Sequence, residues 1–105
     1  MAKTKIKHAI IAGSGPNGLA AAITLAKAGL KVTVHEKNGV IGGACRSAEL
    51  IMPGYIHDVG SAIHPLAIAS PLFKKLPLDK HGLKWVIPES ALAHPFDDGT
   101  AVLLG

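Results

Sequence analysis

The sequence predicts an α/β fold: one strand–helix–strand unit with parallel strands, followed by short β-hairpins. Three observations predict it. An apolar run over residues 6–12 ends in Ala9-Ile10-Ile11-Ala12 and meets Gly13-Ser14-Gly15-Pro16-Asn17-Gly18 at once. An alanine-rich run from Leu19 to Ala28 comes next and is closed by Gly29. A second run, Lys31 to His35, alternates apolar and polar residues and is followed by Glu36, 23 residues beyond Gly13.

Each element has a local cause. Strand one, residues 6–12, loses its alternation toward the end, as a strand covered on both faces does in a parallel sheet. The glycines then have the G-x-G-x-x-G spacing. Gly13 permits the sharp exit from the strand, Gly15 leaves the main chain open to a pyrophosphate, and Gly18 lets helix and strand approach closely. A helix is expected from Pro16 to Ala28, with proline in the first turn, where its missing N–H costs nothing. Its N-terminus offers free N–H groups and partial positive charge to an anion. Leu19, Ile23, Ala26 and Leu30 form an apolar stripe at helical spacing, while Gly18 and Ala22 put two small residues on one face. Gly29 suits the left-handed position after a helix. In strand two, Val32 and Val34 point to one side and Thr33 and His35 to the other. The crossover is then right-handed, as parallel units are. Glu36 stands near the position, about 20 residues after the glycine turn, where an acidic residue holds a ribose in a Rossmann-like unit.

Beyond Glu36, Asn38-Gly39 reads as a turn, and Gly42-Gly43 allows close backbone approach. Ala48–Met52 and Tyr55–Val59 flank Pro53-Gly54, a type II turn signal, and predict a hairpin. Ser70-Pro71 caps a short helix, Leu72 to Leu76, that Pro77 ends. Leu83–Ile87 reads as a strand. Ala91–Phe96 and Thr100–Leu104 flank Asp98-Gly99 as a second hairpin. The chain is read as a single domain over 1–105: the βαβ unit at 5–37, the glycine-pair segment at 38–47, and hairpins with a short helix at 48–105.

The bulk numbers exclude several classes. With 105 residues, 49% hydrophobic and 17% charged, the chain allows one small, apolar-rich domain. The net charge of +4 is spread over lysines such as Lys3, Lys5, Lys7, Lys27 and Lys31, none in a block. No basic stripe with interleaved aromatics exists, which argues against nucleic-acid binding. One cysteine, Cys45, precludes an internal disulfide and fits a reducing, cytoplasmic setting. The early lysines followed by apolar residues imitate a leader, but Gly15-Pro16-Asn17-Gly18 interrupts it. No run reaches the length of a membrane span. The six histidines show no metal pattern, so no metal is expected. Asp97-Asp98 resembles a carboxylate pair, but neighbouring strand residues face opposite ways, and turn chemistry accounts for Asp98. No residue qualifies as a catalytic acid or base, and none is assigned.

Gly13-Ser14-Gly15-Pro16-Asn17-Gly18, then Glu36-Lys37, Gly42-Gly43 and Arg46-Ser47, resemble the FAD-binding amino-terminus of flavin amine oxidases and phytoene desaturases. Gly-Pro-Asn-Gly-Leu-Ala-Ala, His57-Asp58-Val59-Gly60-Ser61 and Ala91-Leu92-Ala93-His94-Pro95 point to the phytoene-dehydrogenase-like branch. The resemblance covers almost the whole chain and is far more specific for FAD than for substrate. It implies an incomplete, amino-terminal portion of a longer oxidoreductase that desaturates, dehydrogenates or isomerises an apolar small molecule. It further implies that the turn from Gly13 and Ser14 onward binds the cofactor, with backbone N–H groups around Gly15, Pro16, Asn17 and Gly18 facing the pyrophosphate (Pro16 itself offering none). Glu36 would take the adenosine ribose, and Lys37 would lie beside the adenine. Gly42, Gly43 and Arg46 would approach the pyrophosphate and ribityl chain, and Asp58 to Gly60 the flavin end. Many members carry arginine directly after the glycine pair. Here Ala44 stands there, and Arg46 would take over the phosphate contact. The flavin would carry the hydride chemistry.

Two other readings remain. The same fold could hold NAD, against which the Gly42-Gly43 pair argues, or the chain could be a non-catalytic nucleotide-binding or interaction module. A homo-oligomer is expected, because one crossover helix covers only one face of the two strands.

Overall fold

A computed structural model of the chain describes residues 7–105; Lys3, Lys5 and the expected start of strand one at residue 6 lie outside the described residues. The first unit is β1 (His8–Ala12), α1 (Pro16–Lys27) and β2 (Lys31–His35). The strands run parallel, with His8 opposite Lys31 and Ala12 opposite His35. Pairing continues one residue into the turn, where the Gly13 N–H donates to the His35 carbonyl at 2.7 Å.

Helix α1 begins at an N-cap Gly15 whose φ of −71° and ψ of 176° are extended, with Pro16 as its first residue. It closes on left-handed Gly29, φ 87°. The Gly29 N–H reaches the Ala26 carbonyl at 3.0 Å, and the Leu30 N–H reaches the Leu25 carbonyl at 3.1 Å. These two bonds make a Schellman cap, which satisfies carbonyls the helix end would otherwise orphan.

The face of α1 that meets the sheet differs from the expected stripe. Ala22 is buried, and Gly18, Leu19 and Leu25 are half-buried, whereas Ile23 and Ala26 are exposed. The reason is Gly18. A Cβ there would collide with the Gly13 carbonyl oxygen and touch the Ile11 side chain. That close approach fixes the helix rotation and turns the small-residue face inward.

Strand β1 is not covered on both faces. Ala9 and Ile11 are half-buried under α1, but Ile10 on the other side is 67% exposed. The run of apolar residues reflects a surface for which the described residues provide no cover.

The expected first hairpin is shorter than predicted. Only β3 (Ser47–Ala48) and β4 (His57–Asp58) pair, antiparallel, with Ser47 opposite Asp58. Gly54 is left-handed, φ 85°, as the Pro-Gly turn requires. The chain between the two short strands makes no further ladder. Two helical turns follow: α2 (Pro65–Ala69), which the sequence pattern did not predict, and α3 (Pro71–Lys75), one residue earlier than expected. Ser70 caps α3 by accepting from the Phe73 N–H at 3.4 Å. Residues Leu83–Ile87 form no strand. They are apolar enough, but a strand needs a neighbour to take its N–H and C=O groups, and none among the described residues pairs with them. The last hairpin, β5 (Leu92–Pro95) with β6 (Ala101–Leu104), is as expected. The Asp98 carboxylate ties its turn by accepting from the Thr100 N–H at 2.9 Å and hydroxyl at 2.6 Å. These bonds, the hydroxyl's first, lower the Asp98 pKa.

The three two-stranded sheets stay separate. The radius of gyration is 19.2 Å, with extents of 75 × 33 × 24 Å; a compact chain of this length has about 13 Å. Ala22 is the one buried apolar residue among the described residues, and Ile63, Leu66 and Val86 are each more than 80% exposed. Apolar surface on this scale marks contact with something else. The 105-residue chain is therefore expected to self-associate at micromolar concentration. Light scattering that returned a clean 10.8 kDa monomer would contradict this.

Candidate nucleotide site at the glycine turn

The site forms where β1 hands over to α1. Gly13 is left-handed, φ 94°, which a side chain would resist, and nothing lies within 4 Å of its would-be Cβ. Gly13 thus serves conformation, and Gly18 serves close packing. Gly15 is constrained by neither: its φ is negative, and the nearest atom to a Cβ there would be the Gly43 Cα at 3.9 Å. The fold leaves space over Gly15 that a side chain would fill and a phosphate could occupy. Beside that space α1 has no side-chain cap, and its first backbone N–H to bond within the helix is that of Leu19, to the Gly15 carbonyl at 3.0 Å. The Asn17 and Gly18 N–H groups of the first turn are thus directed outward, toward where an anion would sit.

The glycine pair folds onto this turn. The Gly42 N–H donates to the Ser14 carbonyl at 3.0 Å. Gly42 and Gly43 are both left-handed, φ 112° and 59°, and a Cβ on Gly43 would stand 3.0 Å from the Gly15 Cα. Glycine at 43 allows the two backbones to meet so closely, and left-handed Gly42 turns the chain into that contact. Gly43 then opens a short 3-10 turn, Gly43–Cys45. Half-buried Arg46 follows, its Cβ 3.4 Å from a would-be Gly42 side chain. The Arg46 carbonyl accepts from Val59 at 3.1 Å and the Ala44 carbonyl from Gly60 at 3.1 Å. The exposed Asp58 carboxylate accepts from the Ser47 hydroxyl at 3.3 Å. Residues 58–60 are thereby drawn along the glycine-pair loop. The residues singled out by sequence thus lie on the glycine turn and first turn of α1, on the glycine-pair loop with β4 beside it, and just past β2, where exposed Lys37 follows Glu36.

Glu36 staples these parts together. One oxygen, Oε2, accepts from the Ser14 N–H at 2.9 Å and the Ser14 hydroxyl at 2.5 Å. The other, Oε1, accepts from the Asn38 N–H at 2.9 Å and the Asn38 Nδ2 at 3.0 Å. These donors, the Ser14 hydroxyl foremost, lower its pKa from 4.5 to about 2. The sign follows from the lowered value. The staple stabilises the folded turn fully above about pH 4.5 and is lost as pH falls through about 2. Thermal melts of the chain should therefore show a fall in stability as pH drops below 4.5. Glu36→Gln should start lower and lose that part of the acid slope; an unchanged slope would show that the staple does not govern it.

Asn38 was legible only as a turn residue, although it gives Glu36 two of its four bonds. An amide two residues after a carboxylate, at a turn, is a spacing that brings both groups together, and that signal was present. Ser14 was singled out as a cofactor-binding residue of the turn; its N–H and hydroxyl are instead both spent on Glu36, in a residue only 2% exposed. An apolar groove of about 730 Å³ runs from Pro16, Asn17 and Ala20 of α1 past Cys45 to Leu66, Phe73 and Trp85. No group of three or more His, Cys, Asp or Glu residues suited to a metal occurs among the described residues. No helix among them is long and apolar enough to cross a membrane.

A glycine turn between a parallel strand and its crossover helix, with an acidic residue closing the second strand, defines a dinucleotide-binding domain of Rossmann type. The chain belongs to the NAD(P)-binding Rossmann-like domain family, whose model matches residues 11–76. It is 36% identical to the 1-hydroxycarotenoid 3,4-desaturase of Flavobacterium sp. (strain P99-3), over 91% of this chain and 20% of that protein. It is 40% identical to the all-trans-zeta-carotene desaturase of Myxococcus xanthus, over 67% of this chain and 14% of that protein. It is 47% identical to the phytoene desaturase of Neurospora crassa, over 60% of this chain and 11% of that protein. The chain thus spans about a fifth or less of these relatives and corresponds to the dinucleotide-binding portion of desaturase-like proteins. No solved structure matches it.

Proposed function

We propose that the chain binds FAD and forms the cofactor-holding portion of a phytoene-desaturase-like oxidoreductase acting on an apolar substrate in the cytoplasm. The observation that carries this reading is the Gly42-Gly43 loop lying on Gly15. A single glycine turn suffices for a Rossmann unit, whereas a second glycine loop over the same turn offers a further side-chain-free approach to the pyrophosphate, which suits the longer FAD. The N–H groups of Gly15, Asn17 and Gly18 hold the pyrophosphate, Glu36 holds the ribose, and Lys37 lies near the adenine. Arg46 adds a charge-assisted bond to the phosphates, and Asp58 and Gly60 border the ribityl and flavin side. Bound FAD supplies the hydride chemistry; the chain's own residues bind and orient it. The groove beside α1 supports an apolar ligand next to the phosphate turn.

The carotenoid desaturases among the relatives support the same substrate class. The family description favours NAD(P) as the second reading. Purified chain should take up FAD and show flavin absorbance after desalting. Colourless protein that retains a nicotinamide nucleotide would reverse the assignment. Glu36→Gln should weaken FAD or ADP binding roughly ten-fold, and unchanged affinity by titration would remove Glu36 from the ribose.

A further inference from the structure

We propose that Ser14 is a positioning residue that clamps one oxygen of Glu36, and that the Asn38 side chain is a placeholder on the other oxygen, which a ribose hydroxyl displaces. The inference rests on the assignment of Glu36 to the ribose. A carboxylate has about four acceptor positions. In this structure Ser14 supplies two donors to Oε2 and Asn38 two to Oε1. A hydroxyl that is to reach Glu36 must therefore take the place of a donor already there.

The two sides differ in what yielding would cost. Ser14 is 2% exposed. Moving its hydroxyl off Oε2 would strand a buried polar group, which is unfavourable. The Ser14 carbonyl is also held, accepting from the Gly42 N–H at 3.0 Å. Asn38 is exposed. Its amide can leave Oε1 for water at little cost, while its backbone N–H keeps the carboxylate oriented. Exchange thus falls on Oε1, and Oε2 stays fixed throughout. Ser14 touches no ligand in this scheme. It acts through Glu36 by fixing the plane in which the second oxygen is offered.

The test is calorimetric titration of the full chain with ADP and with 2′,3′-dideoxyadenosine diphosphate, which lacks both ribose hydroxyls. The readout is the ratio of the two affinities. Wild type should prefer ADP. Ser14→Ala should lower that preference roughly 3- to 10-fold, while Asn38→Ala should keep a preference at least as large as wild type. A merely structural role for Ser14 would weaken both nucleotides alike and leave the ratio untouched, which would overturn the proposal. Collapse of the ratio in Asn38→Ala would overturn it too. Wild type that binds both nucleotides equally, or neither, would instead defeat the ribose assignment of Glu36, and the proposal with it. Should Ser14→Ala fail to fold by circular dichroism, the Asn38→Ala ratio decides.

Discussion

Gly18→Ala is expected to disrupt the turn between β1 and α1 and to be among the most damaging single-methyl changes in the chain. The added Cβ would collide with the Gly13 carbonyl oxygen, press on the Gly13 carbonyl carbon at 3.1 Å and meet the Ile11 side chain at 3.5 Å. The first two obstacles are backbone and cannot rotate away. Gly13 is itself committed: its φ is 94°, and its N–H is bonded to His35. Relief would require α1 to lift from the strands, exposing Ala22 and Leu25. Overpacking of this kind costs about 1–3 kcal/mol, and a backbone clash belongs at the upper end. Gly39→Ala is the control, since nothing lies within 4 Å of its would-be Cβ and its φ is not left-handed. That change should be neutral or slightly stabilising, because it restricts the unfolded chain. Denaturant melts comparing the two variants with wild type would measure the difference. Equal midpoints would mean that the turn yields more easily than its geometry implies.

The βαβ unit was legible because its signals are local. The glycine spacing, proline at the first helical position, glycine after the last and the acidic residue at the end of β2 each encode one backbone event, and all of them appear in place. The rotation of α1 was harder to read. Hydrophobic periodicity favours Leu19, Ile23 and Ala26, yet the contact at Gly18 brings Ala22 inward. A steric requirement between helix and turn overrides the apolar stripe, and the Gly18–Ala22 pair was the clue to it. Leu83–Ile87 failed for the opposite reason. Its composition suits a strand, but a strand depends on a partner, and composition does not say whether one is present. Helix α2 was overlooked even though Pro65 sits at its first position; five residues give too little periodicity to detect. In the site, the positions where two backbones meet closely or turn left-handed were visible as glycines. The Ser14 half of the staple was not, because it joins a loop to a strand end that only the fold places together; the Asn38 half is local and lay in its spacing from Glu36.

Gly15→Val is expected to leave the βαβ unit folded and to abolish nucleotide binding. The contrast with Gly18 is the basis. Gly15 has φ −71°, which any residue adopts, and the nearest atom to its would-be Cβ is the Gly43 Cα at 3.9 Å, an ordinary contact. A Cβ is therefore accommodated there without displacing the protein. The space a side chain would enter is bounded by the Gly43 backbone and the open first turn of α1, where the phosphates are assigned. Valine would occupy that space with two methyl groups and hold a pyrophosphate away from the Asn17 and Gly18 N–H groups. Affinity for FAD and ADP should fall about 100-fold or more, a loss of at least about 2.7 kcal/mol. That exceeds the effect of Glu36→Gln, because the phosphates lose their whole set of backbone donors whereas the ribose loses one charged acceptor. Alanine at the same position should produce a smaller loss in the same direction. Circular dichroism and a melting curve close to wild type would confirm that the fold persists, and titration with ADP would read the binding. If Gly15→Val unfolds, glycine is needed there for the loop contact with Gly43; if it folds and binds ADP as wild type does, the phosphates lie elsewhere.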